Sequence, residues 1–312
     1  MSLRGCLLLI PCEYSRTDIS AERLAMALLY RYGILLGLCL SFQIASASPE
    51  CKPPRGVAQI WKKPSIHWVW VGETHGTQES PAVFGEMVCA ALSQGLSVSV
   101  AIERPTSEQG AIDRLMKSEK LERSRAYLLR QPDWQSSFDG RTSKAVLGLL
   151  ERLRGLRTAY PSLSVQAIVD AGAFASSPSM NDRMMGNNIR ALWKGQHNQL
   201  VMILTGNVHG FRKPYRGVKT AAMYIPSGQI MSLEITDTGG KVWMRTGDGC
   251  GVQSGGIVDK SMLRTEGVYL GAELAPVGFV DGIVALHKPV SPSPPATVST
   301  QQQLNDHLCD GS

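Results

Sequence analysis

Two short segments of the sequence share the pattern G-x-x-H-G, and each follows an apolar run typical of a buried strand. The first, GETHG, places Glu73 two positions before His75, and the second, GNVHG, places Asn207 two positions before His209. Residues two apart in an extended chain point the same way, so each histidine has a polar neighbour. Histidine exchanges protons near neutral pH, and a neighbouring carboxylate can orient its ring. The two motifs therefore predict an acid–base site.

Carboxylates also follow two further apolar runs. Glu103 follows VSVAI, and Asp170 follows SVQAIV. The carboxyl ends of parallel strands meet at one edge of a sheet, and ligands bind at that edge in open α/β sheets. We therefore expect both carboxylates at the same edge of the sheet as the two histidine motifs. This edge, where the strands end, is called the rim.

One chemistry that suits such a rim is hydrolysis. His75 would act as the general base on a water molecule, with its ring oriented by Glu73 or Glu103. His209 and Asn207 would hold the developing oxyanion. The nucleophile-elbow pattern G-x-S-x-G does not occur, because the most similar string, GVQSG, has its serine in another position. An activated water is therefore favoured over a serine nucleophile.

A second version of the same chemistry adds a divalent metal ion. Glu73, His75 and His209 form a suitable ligand set for zinc or manganese and leave a position open for water. The sequence has no H-E-x-x-H helix, so the pattern permits a metal without requiring one.

Alternating apolar runs and amphipathic segments predict an α/β fold with a mainly parallel sheet core flanked by helices and an added antiparallel C-terminal portion. Strands are predicted over 66–71, 96–102, 163–169 and 200–204, and helices from about 81 and over about 106–129, 142–159 and 180–195. Later strands are predicted over 219–225, 230–236 and 241–246 and near 277–286. The glycine-rich residues 247–256 are predicted to form a flexible loop.

Four segments of the sequence resemble the signature blocks of the superfamily that contains erythromycin esterase, ChaN, TraB and Tiki proteins. They are GETHG, IERP at 102–105, NDRMMGNNI at 181–189 and TGNVHG, and the resemblance spans residues from about 66 to 290. The chain is most similar in character to the ChaN-like branch of haem-binding uptake proteins. By position, the resemblance adds Asp182 and Asn188 as substrate-binding candidates. The arginine that usually precedes this aspartate is replaced by Asn181.

The resemblance implies three activities for the rim, and the sequence leaves them open. The esterase branch implies hydrolysis by a histidine-activated water without a metal, and the sequence leaves an ester, a lactone and a peptide open as the substrate. The Tiki branch implies a metal-dependent hydrolase. The ChaN branch implies haem binding without catalysis, for which Tyr215 and Tyr224 are candidate axial ligands because tyrosine ligates haem iron. The expected ligand is thus a small molecule or haem.

The composition and the start of the chain indicate an exported protein. The 312 residues carry a net charge of +6 with only 19% charged residues, which does not indicate a nucleic-acid partner. Residues 32–44 form an apolar run that follows Arg31 and precedes Ala-Ser-Ala, the order found in secretory signals. We predict a signal peptide over 1–47, with Met26 as a candidate true start. The run is short for a stable membrane span, so the processed protein is expected in the periplasm or outside the cell.

Beyond the signal we predict one domain over residues 48–290. From residue 291 the composition changes to proline, serine, threonine and glutamine. Such a segment has too little apolar surface to form a core, so 291–312 is predicted to be a disordered tail.

Four cysteines lie beyond the signal: Cys51, Cys89, Cys250 and Cys309. Disulfides persist in the oxidising compartment that an exported chain enters, and four cysteines allow three pairings. We favour a bond between Cys250 and Cys309. Cys89 lies on the apolar face of a predicted helix and is interpreted as a buried small hydrophobe.

Overall fold

The computed structural model describes residues 49–246, 249–258, 265–271 and 279–297. The predicted signal peptide over 1–47 and the candidate start at Met26 lie outside these residues. The strands within them are β1 (Trp68–Glu73), β2 (Ser97–Pro105), β3 (Ser164–Val169), β4 (Gln199–Gly206), β5 (Ile230–Thr236), β6 (Lys241–Thr246), β7 (Gly249–Ser254), β8 (Gly267–Leu270) and β9 (Gly282–Ala285).

A seven-stranded sheet forms the centre of the described residues, in the order β3-β2-β4-β1-β5-β9-β8. Neighbouring strands in it are parallel, except for the antiparallel pair β8 and β9. β6 and β7 form a separate antiparallel hairpin. The predicted α/β class, with a mainly parallel core and an antiparallel C-terminal portion, is confirmed.

Helices cover both faces of the sheet. They are α1 (Ala58–Trp61), α2 (Glu79–Ser93), α3 (Gln109–Lys117), α4 (Leu121–Leu129), α5 (Pro132–Ser136), α6 (Lys144–Ala159), α7 (Ala171–Ser176) and α8 (Pro178–Arg190), with short 3₁₀ turns at Thr106–Glu108, Asn207–Gly210 and Ala221–Tyr224. None of the helices in the described ranges is long and apolar enough to cross a membrane.

Side chains of β1 alternate between the two faces of the sheet, as expected for a strand buried on both sides. Val69 and Val71 pack in the core shared with α2 and α6. Trp68 and Trp70 pack in the core shared with α8. The strand therefore has both faces covered, and its first polar side chain, Glu73, follows at the carboxyl edge.

Two C-terminal segments differ from the prediction, and a third confirms it. The predicted strand over 219–225 contains instead the 3₁₀ turn Ala221–Tyr224, because the Ala221 N–H donates to Asp182 of α8 at 2.8 Å rather than to a neighbouring strand. The strand predicted over 230–236 is confirmed as β5, which extends the parallel sheet beside β1. Part of the predicted loop over 247–256 forms β7, because its backbone pairs in register with β6 and needs no side chains to do so.

The first part of the predicted tail packs against the domain. Ser291 N–H donates to Glu79 Oε2 at 2.9 Å, and Ser293 Oγ accepts from Ala145 N–H at 2.9 Å. Ser293 is 1% exposed. Hydrogen bonds to the starts of α2 and α6 thus order residues 291–297, which composition alone assigns to a tail, while 298–312 lie outside the described residues.

A disulfide bond joins Cys51 to Cys89. Cys89 is fully buried in α2, as predicted, but its sulfur is bonded rather than free, so its interpretation as a simple hydrophobe is wrong. The sequence could not show this because the partner lies 38 positions away in a segment without regular structure. Cys250 is also disulfide-bonded. Cys309, its predicted partner, lies outside the described residues.

Ser177 caps the N-terminus of α8, and its removal is expected to weaken the fold by about 1 kcal/mol. Its Oγ accepts from the Met180 N–H at 3.2 Å, which satisfies one of the unpaired donors of the first turn. Urea denaturation of Ser177→Ala should show this loss in the free energy of unfolding. Ser177→Asp keeps the acceptor and should stay near the wild-type value; equal stabilities of Ser177→Ala and wild type would contradict the assignment.

Candidate active site

Glycine allows the two motif-bearing strands to meet at the carboxyl edge of the sheet. β1 and β4 are neighbours, and Glu73 pairs with Gly206 in register. A Cβ atom on Gly206 would lie 2.9 Å from His75 Nε2. A Cβ atom on Gly72 would lie 2.8 Å from Asn207 Cα. Both separations are shorter than ordinary contacts, so the motifs need glycine where they face each other.

Gly76 closes one side of the site through its backbone. Its φ of +76° lies in the left-handed region that glycine favours. The Gly76 carbonyl accepts from Trp243 N–H of β6 at 2.9 Å and from Ser293 N–H at 2.8 Å. The hairpin and the C-terminal segment are therefore both attached to the residue that follows His75.

His75 lies between two buried carboxylates. Its Nδ1 is 3.0 Å from Glu73 Oε1, and its Nε2 is 3.3 Å from Glu103 Oε2. The side chains of Glu73 and Glu103 are 4% and 8% exposed, whereas that of His75 is 22% exposed. Both ring nitrogens of His75 are therefore engaged by carboxylates within the protein.

Glu103 is the residue that both histidines share. A register shift in β2 surrounds it, and irregularities of this kind redirect side chains near active sites. Its Oε2 accepts from the Gly206 N–H at 2.7 Å. Its Oε1 lies 3.8 Å from His209 Nε2 and 3.4 Å from Arg141 Nη1. One carboxylate thus links β2, β4 and both histidine motifs.

His209 has a carboxylate partner of its own. Its Nδ1 is 2.8 Å from Asp182 Oδ1, and the same oxygen accepts from the Ala221 N–H at 2.8 Å. Asp182 lies on α8 and is 5% exposed. The structure therefore places Asp182 behind His209, where it orients the imidazole ring.

Arg141, which the sequence analysis did not identify, contacts the same cluster from the loop between α5 and α6. Its Nη1 lies 3.4 Å from Glu103, and its Nε donates to Asp139 at 2.8 Å. A Cβ atom on Gly140 would lie 2.4 Å from Gly76 N, so the loop packs directly on the first motif. The Asp-Gly-Arg run predicts a turn, but no local pattern shows which part of the folded protein the turn packs against.

The charges of this cluster shift the pKa values of its members. Burial alone would lower the pKa of His75, but Glu103 and Glu73 outweigh it and raise that pKa to about 10. Burial likewise opposes a charge on His209, yet Glu103 and Asp182 raise its pKa. Burial alone would raise the pKa of Glu103, whereas His75 and His209 hold it well below its usual range. The cluster therefore favours the protonated form of His75.

A small cavity lies next to this ion cluster. Its volume is about 20 Å³, and Glu73, His75, Glu103 and Arg141 are among its lining residues. Glu73 Oε2 is buried and accepts no hydrogen bond from the described residues, and burial raises the pKa of this carboxyl. A cavity of this size that borders charged groups has room for one water molecule.

The two asparagines that were predicted to contact the substrate form hydrogen bonds within the protein. Asn207 donates to Glu234 Oε1 at 3.1 Å, and its Oδ1 accepts from the Val208 N–H at 3.0 Å. Asn188 donates to the carbonyl of Ile168 in β3 at 3.1 Å. Asn207 thus stabilises the turn after β4, and Asn188 attaches α8 to the sheet.

The two tyrosines considered as haem ligands pack against other side chains. The Tyr215 ring contacts that of Phe211 edge-on, with 5.8 Å between centroids. Lys219 Nζ lies 4.2 Å from the centre of the Tyr224 ring, which also packs against Gly186 of α8. Among the described residues, no hydrogen bond or ring contact joins either tyrosine to the two site histidines.

The residues predicted to bind a metal do not fit that role in this arrangement. Glu73, His75 and His209 direct their donor atoms at neighbouring side chains of the cluster instead of at a common point. In the part of the chain that the structure describes, no group of three histidine, cysteine, aspartate or glutamate side chains is arranged to hold an ion. We therefore derive no reaction step through a metal.

A larger cleft of about 750 Å³ lies between α2 and α6, away from the histidines. Its charged residues include Glu86 and Arg152, which pair with each other at 3.1 Å. None of the four predicted catalytic residues is among the described residues that line this cleft.

Comparison with known proteins shows similarity in structure but not in sequence. No protein-family model and no curated protein matches the chain. The fold is shared with a succinoglycan biosynthesis protein, at 9% identity over 78% of this chain and 93% of the other, with a TM-score of 0.52.

Two further solved structures match with lower TM-scores. A variant of the erythromycin esterase EreC in its open conformation matches at 12% identity over 75% of this chain and 94% of its own, with a TM-score of 0.46. ChaN of Campylobacter jejuni, with cofacially bound haem, matches at 11% identity over 57% and 85%, with a TM-score of 0.35.

Proposed function

We propose that this protein is an exported hydrolase in which a histidine supported by carboxylates activates water for attack on an ester, lactone or peptide bond. The observation that carries the proposal is the shared carboxylate of Glu103, 3.3 Å from His75 Nε2 and 3.8 Å from His209 Nε2. Two histidines and a buried carboxylate at an open strand edge form an acid–base group of the kind that hydrolases use.

Hydrolysis requires a proton acceptor for the attacking water and positive charge near the carbonyl oxygen, and the cluster contains groups for both roles. Attack of water on a carbonyl carbon releases a proton and builds negative charge on the carbonyl oxygen. A histidine of the rim accepts the proton and later returns it to the leaving group. The positive charges of Arg141 and protonated His75 lie in the same partly buried cluster, where electrostatic interactions with a developing anion are stronger than in bulk water.

Export is proposed from the cysteines and the start of the chain together. Cys51 and Cys89 are bonded, and Cys250 is bonded as well. Disulfides persist in secreted and periplasmic proteins and are rare in the cytosol. This agrees with the signal peptide predicted over residues 1–47 and supports a periplasmic or extracellular location.

Haem binding is the other interpretation of the rim. Among the described residues, no contact places either candidate tyrosine ligand at the two histidines. Tyr215 and Tyr224 pack against Phe211 and α8 respectively. Hydrolysis is therefore the function that the geometry supports best, and a haem titration serves as a check on it.

His75→Ala is expected to reduce hydrolysis by about 10²- to 10⁴-fold, because it removes the cation that neutralises Glu73 and Glu103. Turnover would be measured with methyl butyrate, δ-valerolactone and an alanine peptide as one probe of each bond class. Dialysis against EDTA should leave wild-type turnover unchanged, because the residues do not fit a metal.

A matched control for this variant is His67→Ala. The His67 ring stacks on Trp193 with 4.4 Å between the ring centroids. His67 directly precedes the N-terminal end of β1, away from the rim, so its loss should leave turnover unchanged. Full turnover in His75→Ala, or no wild-type turnover with any probe together with a Soret shift at micromolar haem, would contradict the proposal. Loss of activity in EDTA with recovery on adding zinc would overturn the metal-free mechanism.

A further inference from the structure

We infer that the two histidines have different roles, which deepens the proposed function and rests on it: His209, oriented by Asp182, exchanges the proton with water and the leaving group, and His75 is a fixed hydrogen-bond donor. This reverses the roles predicted from the sequence, in which His75 is the base and His209 holds the oxyanion.

His75 has no nitrogen left for a water molecule. Its Nδ1 lies 3.0 Å from Glu73 and its Nε2 lies 3.3 Å from Glu103. Nδ1 is occupied by its hydrogen bond with Glu73, and Nε2 forms an ion pair with Glu103, which as a carboxylate has no proton to donate, so Nε2 itself carries a proton. With Nδ1 hydrogen-bonded and Nε2 protonated, His75 has no free lone pair that could accept a proton from water.

His209 is engaged on one side only. Its Nδ1 lies 2.8 Å from Asp182, whereas its Nε2 lies 3.8 Å from Glu103, beyond hydrogen-bond distance. No hydrogen bond from a described residue occupies this Nε2, and the side chain is 22% exposed. A water molecule can therefore reach Nε2 at the rim.

Asp182 determines which nitrogen of His209 carries the proton. The same Oδ1 accepts from both His209 Nδ1 and the Ala221 N–H, so the carboxylate cannot turn away without breaking two hydrogen bonds. The proton of neutral His209 is held on Nδ1, which leaves the lone pair on Nε2 directed at the rim. Asp182 is thus a positioning residue, in the arrangement by which an aspartate orients a catalytic histidine in hydrolases.

The reaction step follows from this tautomer. A water proton passes to His209 Nε2 while the water oxygen bonds to the carbonyl carbon, and the π electrons of the carbonyl move to its oxygen. When the bond to the leaving group breaks, the proton on Nε2 passes to the leaving oxygen or nitrogen. The products are a carboxylic acid and an alcohol or amine, and His209 is neutral again.

Rescue by added imidazole tests the assignment. His209→Ala and His75→Ala are both expected to lose about 10²- to 10⁴-fold in turnover of whichever of the three probes the wild-type protein hydrolyses. Imidazole added at about 0.1 M should raise the turnover of His209→Ala at least about tenfold and leave that of His75→Ala unchanged, because only His209 is assigned as the proton-exchanging base. The cause is that a free imidazole can fill the space at the open rim and exchange a proton there.

The outcomes separate the inference from the proposed function. Rescue of His75→Ala alone, of both variants, or of neither would overturn the division of roles. Wild-type turnover in both variants would instead contradict the proposed active site itself. His67→Ala with imidazole gives the background rate.

A spectroscopic measurement tests the role of Asp182 without any substrate. Nitrogen-15 NMR of neutral His209 should show the proton on Nδ1 in the wild-type protein and in Asp182→Asn, which keeps the accepting oxygen. Asp182→Ala should show a mixture of tautomers and a fall in kcat of about 10²- to 10⁴-fold with little change in KM. A proton on Nε2 in the wild-type protein, or unchanged kcat in Asp182→Ala, would overturn the inference.

Discussion

Replacing Glu103 by glutamine is expected to lower kcat/KM for hydrolysis by about 10³-fold, because it removes the charge that both histidines share. The carboxylate contacts both histidines and Arg141, whereas a glutamine of the same shape carries no charge. Without the negative charge, the pKa of His75 should fall from about 10 toward its ordinary value of 6.5. Proton NMR titration of the imidazole would measure this fall alongside the kinetics.

The same substitution should change the dependence of stability on pH. A histidine whose pKa is raised by folding stabilises the protein below its unfolded pKa, and this stabilisation is lost as the pH rises through the folded pKa. For His75 the loss is expected between about 6.5 and about 10. In Glu103→Gln the loss should be smaller and complete at lower pH.

Glu122→Gln provides the control, because Glu122 is exposed on α4 and touches none of these groups. It should leave kcat/KM, the pKa of His75 and the pH dependence unchanged. An unaltered His75 pKa in Glu103→Gln would show that the shared carboxylate does not control the cluster. If the glutamine variant fails to fold, Glu103→Asp keeps the charge and should retain the raised pKa.

Removal of the Cys51–Cys89 disulfide is expected to lower the free energy of unfolding by about 4 kcal/mol, from the entropy of a loop closed across 38 positions. Cys51 is only partly buried, while Cys89 is fully buried in α2. Cys51→Ser therefore breaks the bond and leaves the core sulfur in place. Guanidinium denaturation of the oxidised proteins would measure the difference.

Reduction provides the comparison for this variant. Dithiothreitol should destabilise the wild-type protein by more than it destabilises Cys51→Ser, because the variant has already lost one of its bonds. Equal stability of oxidised wild type and Cys51→Ser would contradict a structural role for the disulfide. Hydrolysis should persist in the folded variant, since the bond lies away from the rim.

Local patterns predicted much of the fold and part of the site. β1 and β4 were predictable because an apolar run that ends in G-x-x-H-G is a signal within one short segment. The pairing of Glu73 with His75 was predictable for the same reason, since residues two apart in extended chain share a side. β7 was not predictable, because its glycines join a strand only through backbone bonds to β6.

Contacts between distant segments explain what local patterns missed. Arg141 reaches Glu103 from a turn 38 positions later in the chain, and no local pattern shows where that turn packs. Asp182 was found only through the resemblance, which suggests a substrate contact, whereas its oxygen is held by His209 and Ala221. The Cys51–Cys89 bond likewise depends on how the start of the domain lies against α2.

The sequence by itself determined that this is an α/β protein with two histidine motifs at strand ends, because strand periodicity and glycine turns are local properties. Only the tertiary structure decided how the motifs are used. It placed Glu103 between the histidines, engaged both nitrogens of His75 and only one of His209, and brought Arg141 and Asp182 to them. Proton chemistry depends on which atom faces which, and that is set by packing between segments far apart in the chain.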